Sequence, residues 1–493
     1  MVEAVEQHVK RWHTFFLIFT WAFNMAFASP ARDASQPHHT AAVQVVIDSQ
    51  KAPLSTFLGL GVEFDPYDIP PPPDRWQTIL DRVDYARFGF FRVMSGASDY
   101  CLGFDQRGPI YVWNQRDPAA QAKLNRLLSI LDFAQAHNIS VYLGEWSPPR
   151  ELGITSPDDP RWPRLIADFV HYLVVEKQYS IIGHYIFFNE PNGKWMWPHA
   201  APDFTAWSSG IRRLRQEFDA RGLNSIQIAA PDNSGDMNWF ARSVQDLAPL
   251  FGAWEMHIYA TDSEVYDDVV GSELSQASAL LVADPLSSHK PRFIAESGLQ
   301  DGKIDALDQQ PRVRTVPYGV IMADYVAEVA RAGWMGADAW DLDDAMHESR
   351  AGSLKVWGFW DSSPSGDMAV RPWFYTWSLM SRYFPRGGSI LRVNAIPETS
   401  RFRATATSWI SSSSERLASV LLVNDGDHDR KIAVHGFPAG AERLYCYHYF
   451  DDDRPANPQG LPIPARVILN DPAKDLVVDM PTQGVVLITN SKP

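Results

Sequence analysis

The chain of 493 residues is 45% hydrophobic and 21% charged, the balance of a folded globular protein rather than a disordered one, and long enough for about two to three domains. A net charge of −15 with no long Lys/Arg run argues against nucleic acid, whose binding depends on many cationic phosphate contacts. Cys101 and Cys446 stand far apart without metal-ligand spacing, which excludes a disulfide scaffold and a zinc site and leaves a single bridge open.

The N-terminus reads as an address. Lys10 and Arg11 precede the uncharged residues 12–31, and Ala26-Phe27-Ala28 gives the small-x-small pattern of signal cleavage. Residues 1–28 are therefore expected to be a signal peptide, cut near Ala28–Ser29, on an extracellular or periplasmic protein. An uncleaved membrane anchor is the competing reading, because the apolar run approaches spanning length. No later stretch is long and apolar enough to span a bilayer, so no membrane contact is expected of the mature part. Residues 29–54 form a polar connector and a strand, 42–48 (AVQVVID), expected to join a β-domain at the other end of the chain.

From residue 55 to 386 short apolar runs alternate with helical patterns, the signature of β-α units. The runs cover 55–64, 88–94, 139–146, 181–190, 225–233, 254–260, 291–297 and 336–342. Between them, Leu124, Leu127, Leu128 and Leu131 make one helical stripe, and Leu165, Ile166, Phe169 and Leu173 make another. Eight such repeats predict a (β/α)8 TIM barrel, whose active site lies at the C-terminal ends of the strands. Residues 387–493 alternate or are β-branched between Gly, Pro and Asp, which predicts a C-terminal all-β sandwich domain.

Strand ends therefore become the places to look for chemistry. The fourth run ends Phe187-Phe188-Asn189-Glu190-Pro191, and the seventh ends Phe293-Ile294-Ala295-Glu296-Ser297. Two apolar strands that each present a glutamate at the barrel mouth supply the pair an acetal hydrolysis needs, one proton donor and one carboxylate at the oxocarbenium-like carbon. The 18 Trp fit a sugar-stacking cleft, although most are expected to fill cores.

On these motifs the region from about 55 to 384 resembles the clan A retaining glycoside hydrolases. The resemblance makes Glu190, in Asn189-Glu190-Pro191, the acid/base and Glu296 the nucleophile. It gives Asn189 the sugar 2-hydroxyl, Arg92 the nucleophile carboxylate, His257 and Tyr259 the nucleophile or the sugar, and Trp340 the platform beneath the ring. From position alone, Glu145 either binds a sugar hydroxyl or pairs with Arg92, and Trp146 joins the mouth; Glu63 and Asp65 are weaker candidates of the same kind. Trp195 and Trp197, in Lys194-Trp195-Met196-Trp197, look like a subsite wall. The implied activity is double-displacement cleavage of a plant- or microbe-derived oligo- or polysaccharide, with no cofactor and no metal. The alternative is a barrel that binds carbohydrate without turning it over. Asp341, Asp343 and Asp344 could bind a cation or polar sugar groups, but a solvated loop is the expected reading. Asp425-x-Asp427-x-Asp429 lacks the glycine and distal glutamate of a calcium loop and reads as a hairpin turn.

Overall fold

The computed structural model describes residues 43–493 apart from 198–199, 348–353, 397–400, 438–441 and 472–473. The signal and most of the connector expected before residue 43 lie outside the described residues. Eight parallel strands close into a barrel: Gly61–Glu63, Phe90–Met94, Ser140–Gly144, Ile182–Ile186, Gln227–Ser234, Phe251–Ala260, Arg292–Leu299 and Ala337–Ala339. They are called here the first to eighth strands. Helices separate successive strands, and those after the second, fourth and fifth strands begin on aspartates. Asp117 accepts from the Ala119 N–H, Asp203 from those of Thr205 and Ala206, and Asp236 from those of Asn238 and Trp239. The leucine stripe at 124, 127 and 131 is buried with Leu128 partly so, and Leu165, Ile166, Phe169 and Leu173 are fully buried.

Phe90, Tyr142 and Phe293 meet inside the barrel with ring centroids 4.7–5.4 Å apart, joined by Met94, Ile186, Ala229, Ala253 and Ala295. This apolar plug is a packed floor. The polar groups described below can only sit above it.

Residues Val43–Asp48 pair antiparallel with Ser389–Ile396 and parallel with Arg430–His435, within a ten-stranded sheet otherwise built from residues after 388 and the short Ser55–Thr56. Its ends fold over one core, in which Val43, Val45 and Ile47 meet Leu422, Leu444, Val478 and Ile488. The period-2 burial of the first strand makes that possible. Arg403 ties this sandwich to the barrel by reaching Asp324 on the helix Val316–Arg331.

Three expectations need correction. The run 55–64 is two elements, because Ser55–Thr56 pairs with the sandwich and only Gly61–Glu63 enters the barrel. The segment at 425–429 links Arg416–Asn424 to Arg430–His435, which do not pair with each other, so it is a crossover between sheet halves rather than a hairpin turn. Asp341, Asp343 and Asp344 are fully buried instead of solvated. Cys101 and Cys446 are both buried and free. Among the described residues no helix is long and apolar enough to cross a membrane.

Candidate active site

Arg92 sits two residues beyond Phe90 on the second strand, so the pleat aims it the same way, into the barrel above the plug. It is fully buried. Nη1 donates to Glu296 Oε1 (2.8 Å) and to Glu63, and Nη2 donates to Asn189 Oδ1 (2.6 Å) and Asp232 Oδ2 (3.2 Å). One guanidinium thus ties the ends of five elements together, with the fixed fork geometry that suits Arg to carboxylates.

Strict alternation would turn Glu296 away from this centre. Phe293 and Ala295 face the interior plug and Ile294 the outer core. The pairing slips, however: Met256 opposes Ile294 while His257 opposes Glu296. This irregularity skips a residue and brings the Glu296 carboxylate inward, a re-aiming typical of bulges beside active sites. There Tyr259 donates its hydroxyl to Oε2 at 2.7 Å.

Glu190 arrives differently. The fourth strand stops at Ile186, and the chain turns so that Glu190 adopts a left-handed backbone at φ 46°. Its N–H donates to the Asp232 carbonyl (3.0 Å) and its carbonyl accepts from Gly193 (2.8 Å). Asn192 exchanges two further hydrogen bonds with Ser234, at 2.9 and 3.0 Å. A left-handed conformation in a non-glycine residue costs of order 1 kcal/mol and persists only where its surroundings over-determine it.

His257 bridges the two glutamates. Nδ1 lies 3.1 Å from Glu190 Oε1 and 3.4 Å from Glu296 Oε2, and Nε2 lies 2.9 Å from Asp232 Oδ1. One carboxylate oxygen of each glutamate and one ring nitrogen of His257 lie within 4.8 Å of one another. Burial disfavours the imidazolium, yet Glu296 and Asp232 hold its pKa well above the usual histidine value. Burial pushes Glu296 up to about 7, against the pull of His257 and Arg92. Burial also acts upward on Glu190, but the hydrogen bond and charge of His257 bring it below the usual carboxylate value. Asp232 is held far below by His257 and Arg92, and Glu255 behind it is driven well above by burial and by Asp232.

These groups open into a cavity of about 680 Å³ walled by Trp146, Trp195, Tyr259, Trp340 and Trp357, with Asn189, Glu190 and Glu296 on its floor. Trp195 is 63% exposed and donates its indole N–H to Glu190 Oε2. Gly193 permits this fold-back, because a Cβ there would lie 2.4 Å from the Trp195 ring. Trp340 is nearly buried and donates to Glu63 Oε1 at 3.2 Å.

Two sequence-predicted residues lie elsewhere. Glu145 neither lines the cavity nor meets Arg92; it is buried and accepts from Tyr185 Oη (2.6 Å) and the Ala97 N–H (2.8 Å). Glu63 is the first-strand partner of Arg92 instead. Trp197 turns inward, donating to the Pro191 carbonyl (2.8 Å) and packing on Phe188, so only Trp195 and Met196 of that segment reach the cavity. The sequence reading also missed Asp232, Glu255, His347 and Trp357. Asp232 ends an apolar strand, the signal that marked Glu190, but its Pro-Asp-Asn context reads as a turn.

No family model matches the sequence and no curated protein does. Solved structures do match. The chain is similar to a GH51 α-L-arabinofuranosidase of Thermotoga petrophila (TM-score 0.65, 14% identity, 91% of this chain and 100% of that one). It is similar to a family 30 subfamily 8 xylanase of Clostridium acetobutylicum (TM-score 0.60, 13% identity, 90% and 99%). It is also similar to a β-xylosidase of Caulobacter crescentus (TM-score 0.61, 14% identity, 90% and 99%). The chain shares the fold of these structures, an eight-stranded parallel barrel with an all-β domain.

Proposed function

We propose that the protein is a retaining glycoside hydrolase, with Glu296 as nucleophile and Glu190 as acid/base. The observation that carries this reading is the approach of the two carboxylates, oxygens within 4.8 Å across one cavity. Retaining enzymes hold their carboxyl groups about 5–5.5 Å apart, whereas inverting ones leave about 6.5–9.5 Å for a water. Arg92 and Tyr259 both donate to Glu296, and hydrogen bonds to the charged form favour the anion a nucleophile must be.

Glu190 needs a proton for the first step, and the acidic donor that touches it is His257. Transfer from Nδ1 to Oε1 across 3.1 Å leaves a neutral imidazole and an acid, while Glu296 keeps both of its donors. Glu190 then protonates the leaving oxygen as Glu296 attacks the anomeric carbon. In the second step Glu190, now a carboxylate, takes a proton from the water that releases the sugar. Arg92 occupies the Asn189 amide oxygen, which leaves the amide N–H groups for a sugar hydroxyl.

A cavity of this volume suits a small ligand or a chain segment, and its indoles suit sugar faces. The similar structures are named for xylan and arabinofuranoside chemistry, so a pentose-containing oligo- or polysaccharide is the substrate class we favour. The basic-apolar-small N-terminal pattern supports secretion. The test is a panel of aryl xylosides, arabinofuranosides, glucosides and galactosides, with product anomers followed by NMR. Turnover with net retention is expected; no turnover of any member, or inversion, contradicts the reading.

A further inference from the structure

We propose that Glu63, Asp65, Asp341 and His347 form a binding site for one divalent transition-metal ion of the Zn²⁺ class, beside the cavity but distinct from the glutamate pair. Glu63 and Asp65 end the first strand and its continuation, and Asp341 and His347 follow the eighth. Around Nε2 of His347 stand Glu63 Oε1 at 3.4 Å, Asp65 Oδ2 at 3.6 Å and Asp341 Oδ2 at 3.9 Å. Donor atoms of Glu63, Asp65 and His347 all lie within 4.8 Å of one another.

An acidic cluster alone would prove nothing, but its donors are unsatisfied. Asp341 is fully buried, and neither of its carboxylate oxygens accepts a hydrogen bond. Asp65 Oδ2 and His347 Nε2 are likewise without a hydrogen-bond partner. A buried, unpaired carboxylate costs several kcal/mol by order of magnitude, and such groups in proteins pair, protonate or bind metal. Among the described residues Arg92 is the guanidinium that touches Glu63, and it is already shared with Glu296 and Asp232.

The spacing fits a small cation. Tetrahedral zinc with bonds of about 2.0–2.1 Å has ligand–ligand edges of about 3.3–3.4 Å, and the three imidazole–carboxylate distances of 3.4, 3.6 and 3.9 Å lie within tenths of an ångström of such an edge, with the Glu63 and Asp65 donors within 4.8 Å of each other. The imidazole argues against Ca²⁺ and Mg²⁺, which take oxygen donors. The expectation of no zinc site rested on cysteine spacing, which could not reveal this one, because its ligands come from opposite ends of the barrel sequence and contain no sulfur. The ion would also bear on the cavity wall. The His347 ring stacks on Trp340 (5.7 Å) and meets Trp146 edge-on (5.8 Å), so fixing it fixes both indoles.

The test uses tag-free full chain, stripped with EDTA and titrated with ZnCl₂ by calorimetry, with metal content and thermal midpoint measured alongside. One Zn²⁺ per chain and a Tm rise of roughly 3 °C or more are expected. His347→Ala should weaken binding by about 100-fold and Asp341→Asn by about 10-fold or more. Glu190→Gln should bind as wild type does, which separates this site from the Glu190/His257/Glu296 group. X-ray absorption on zinc-loaded wild type, which needs no variant to fold, should show one imidazole with oxygen donors. Failure of wild type to take up one equivalent, wild-type affinity in His347→Ala, loss of binding in Glu190→Gln, or a different donor set would overturn the proposal.

Discussion

Nδ1 of His257 lies 3.1 Å from Oε1 of Glu190, so the proposed acid/base hydrogen-bonds a group that its own site keeps positively charged. The same nitrogen is 3.4 Å from Glu296. A single proton therefore serves three groups, and its position sets which glutamate is the acid and which the anionic nucleophile.

Replacing His257 should show this in the pH profile. Its charge pulls down both Glu296, which burial nonetheless holds up at about 7, and Glu190. In His257→Gln both carboxylates lose that pull, so their pKa values rise. The acid limb of kcat/KM should then move to higher pH, with kcat down by about 10²-fold or more for want of the proton store. An acid limb that stays in place or moves to lower pH counts against the network.

Tyr259→Phe removes one donor from Glu296 and leaves the ring packed against Trp357. A donor lost from a preorganised site costs about 10²–10³ in kcat by analogy with oxyanion-hole deletions. Thermal stability should change little, and a folded variant with undiminished kcat would show that this contact carries no part of the chemistry.

Glu145 bears on stability rather than catalysis. Burial raises its pKa from 4.5 to about 7, so the folded state binds the proton more tightly than the unfolded chain. The protein should accordingly lose stability as pH rises from 4.5 through 7, by at most about 3 kcal/mol from this group. Glu145→Gln keeps the shape and the acceptor for Tyr185 and Ala97 without the charge. Urea melts at pH 5 and pH 8 should converge in this variant, and an unchanged pH slope would contradict the assignment.

Much of this site was legible in the sequence because an apolar strand that breaks off into Asn-Glu or Ala-Glu-Ser advertises its own end. Asn189, Glu190 and Glu296 were found that way, the resemblance added Arg92, His257, Tyr259 and Trp340, and the structure gathers all of them within one hydrogen-bonded group or its cavity wall. Glu145 fails the same rule because it follows Gly144 at the point where the chain leaves the strand, and its side chain turns out toward Tyr185 rather than in toward Arg92. Trp195 lies within the short 3₁₀ turn Lys194–Met196 and Trp197 just past its end, a difference that composition does not resolve. Asp341 and His347 belong to a connection whose path depends on the barrel already being closed. Likewise, the bulge that turns Glu296 inward is a matter of pairing between strands and leaves no mark in either one alone.

The division of roles between Glu190 and Glu296 is tested most directly by chemical rescue with an aryl glycoside that the wild type turns over. Glu296→Gly should abolish turnover, since no glycosyl-enzyme can form, and azide should restore part of it with a product of inverted configuration. Glu190→Ala should still be glycosylated by substrates with good leaving groups and then stall, and azide should release a glycosyl azide of retained configuration. Opposite anomers from the two rescues are the predicted result. The same anomer from both, or full activity in either variant without azide, would contradict the account.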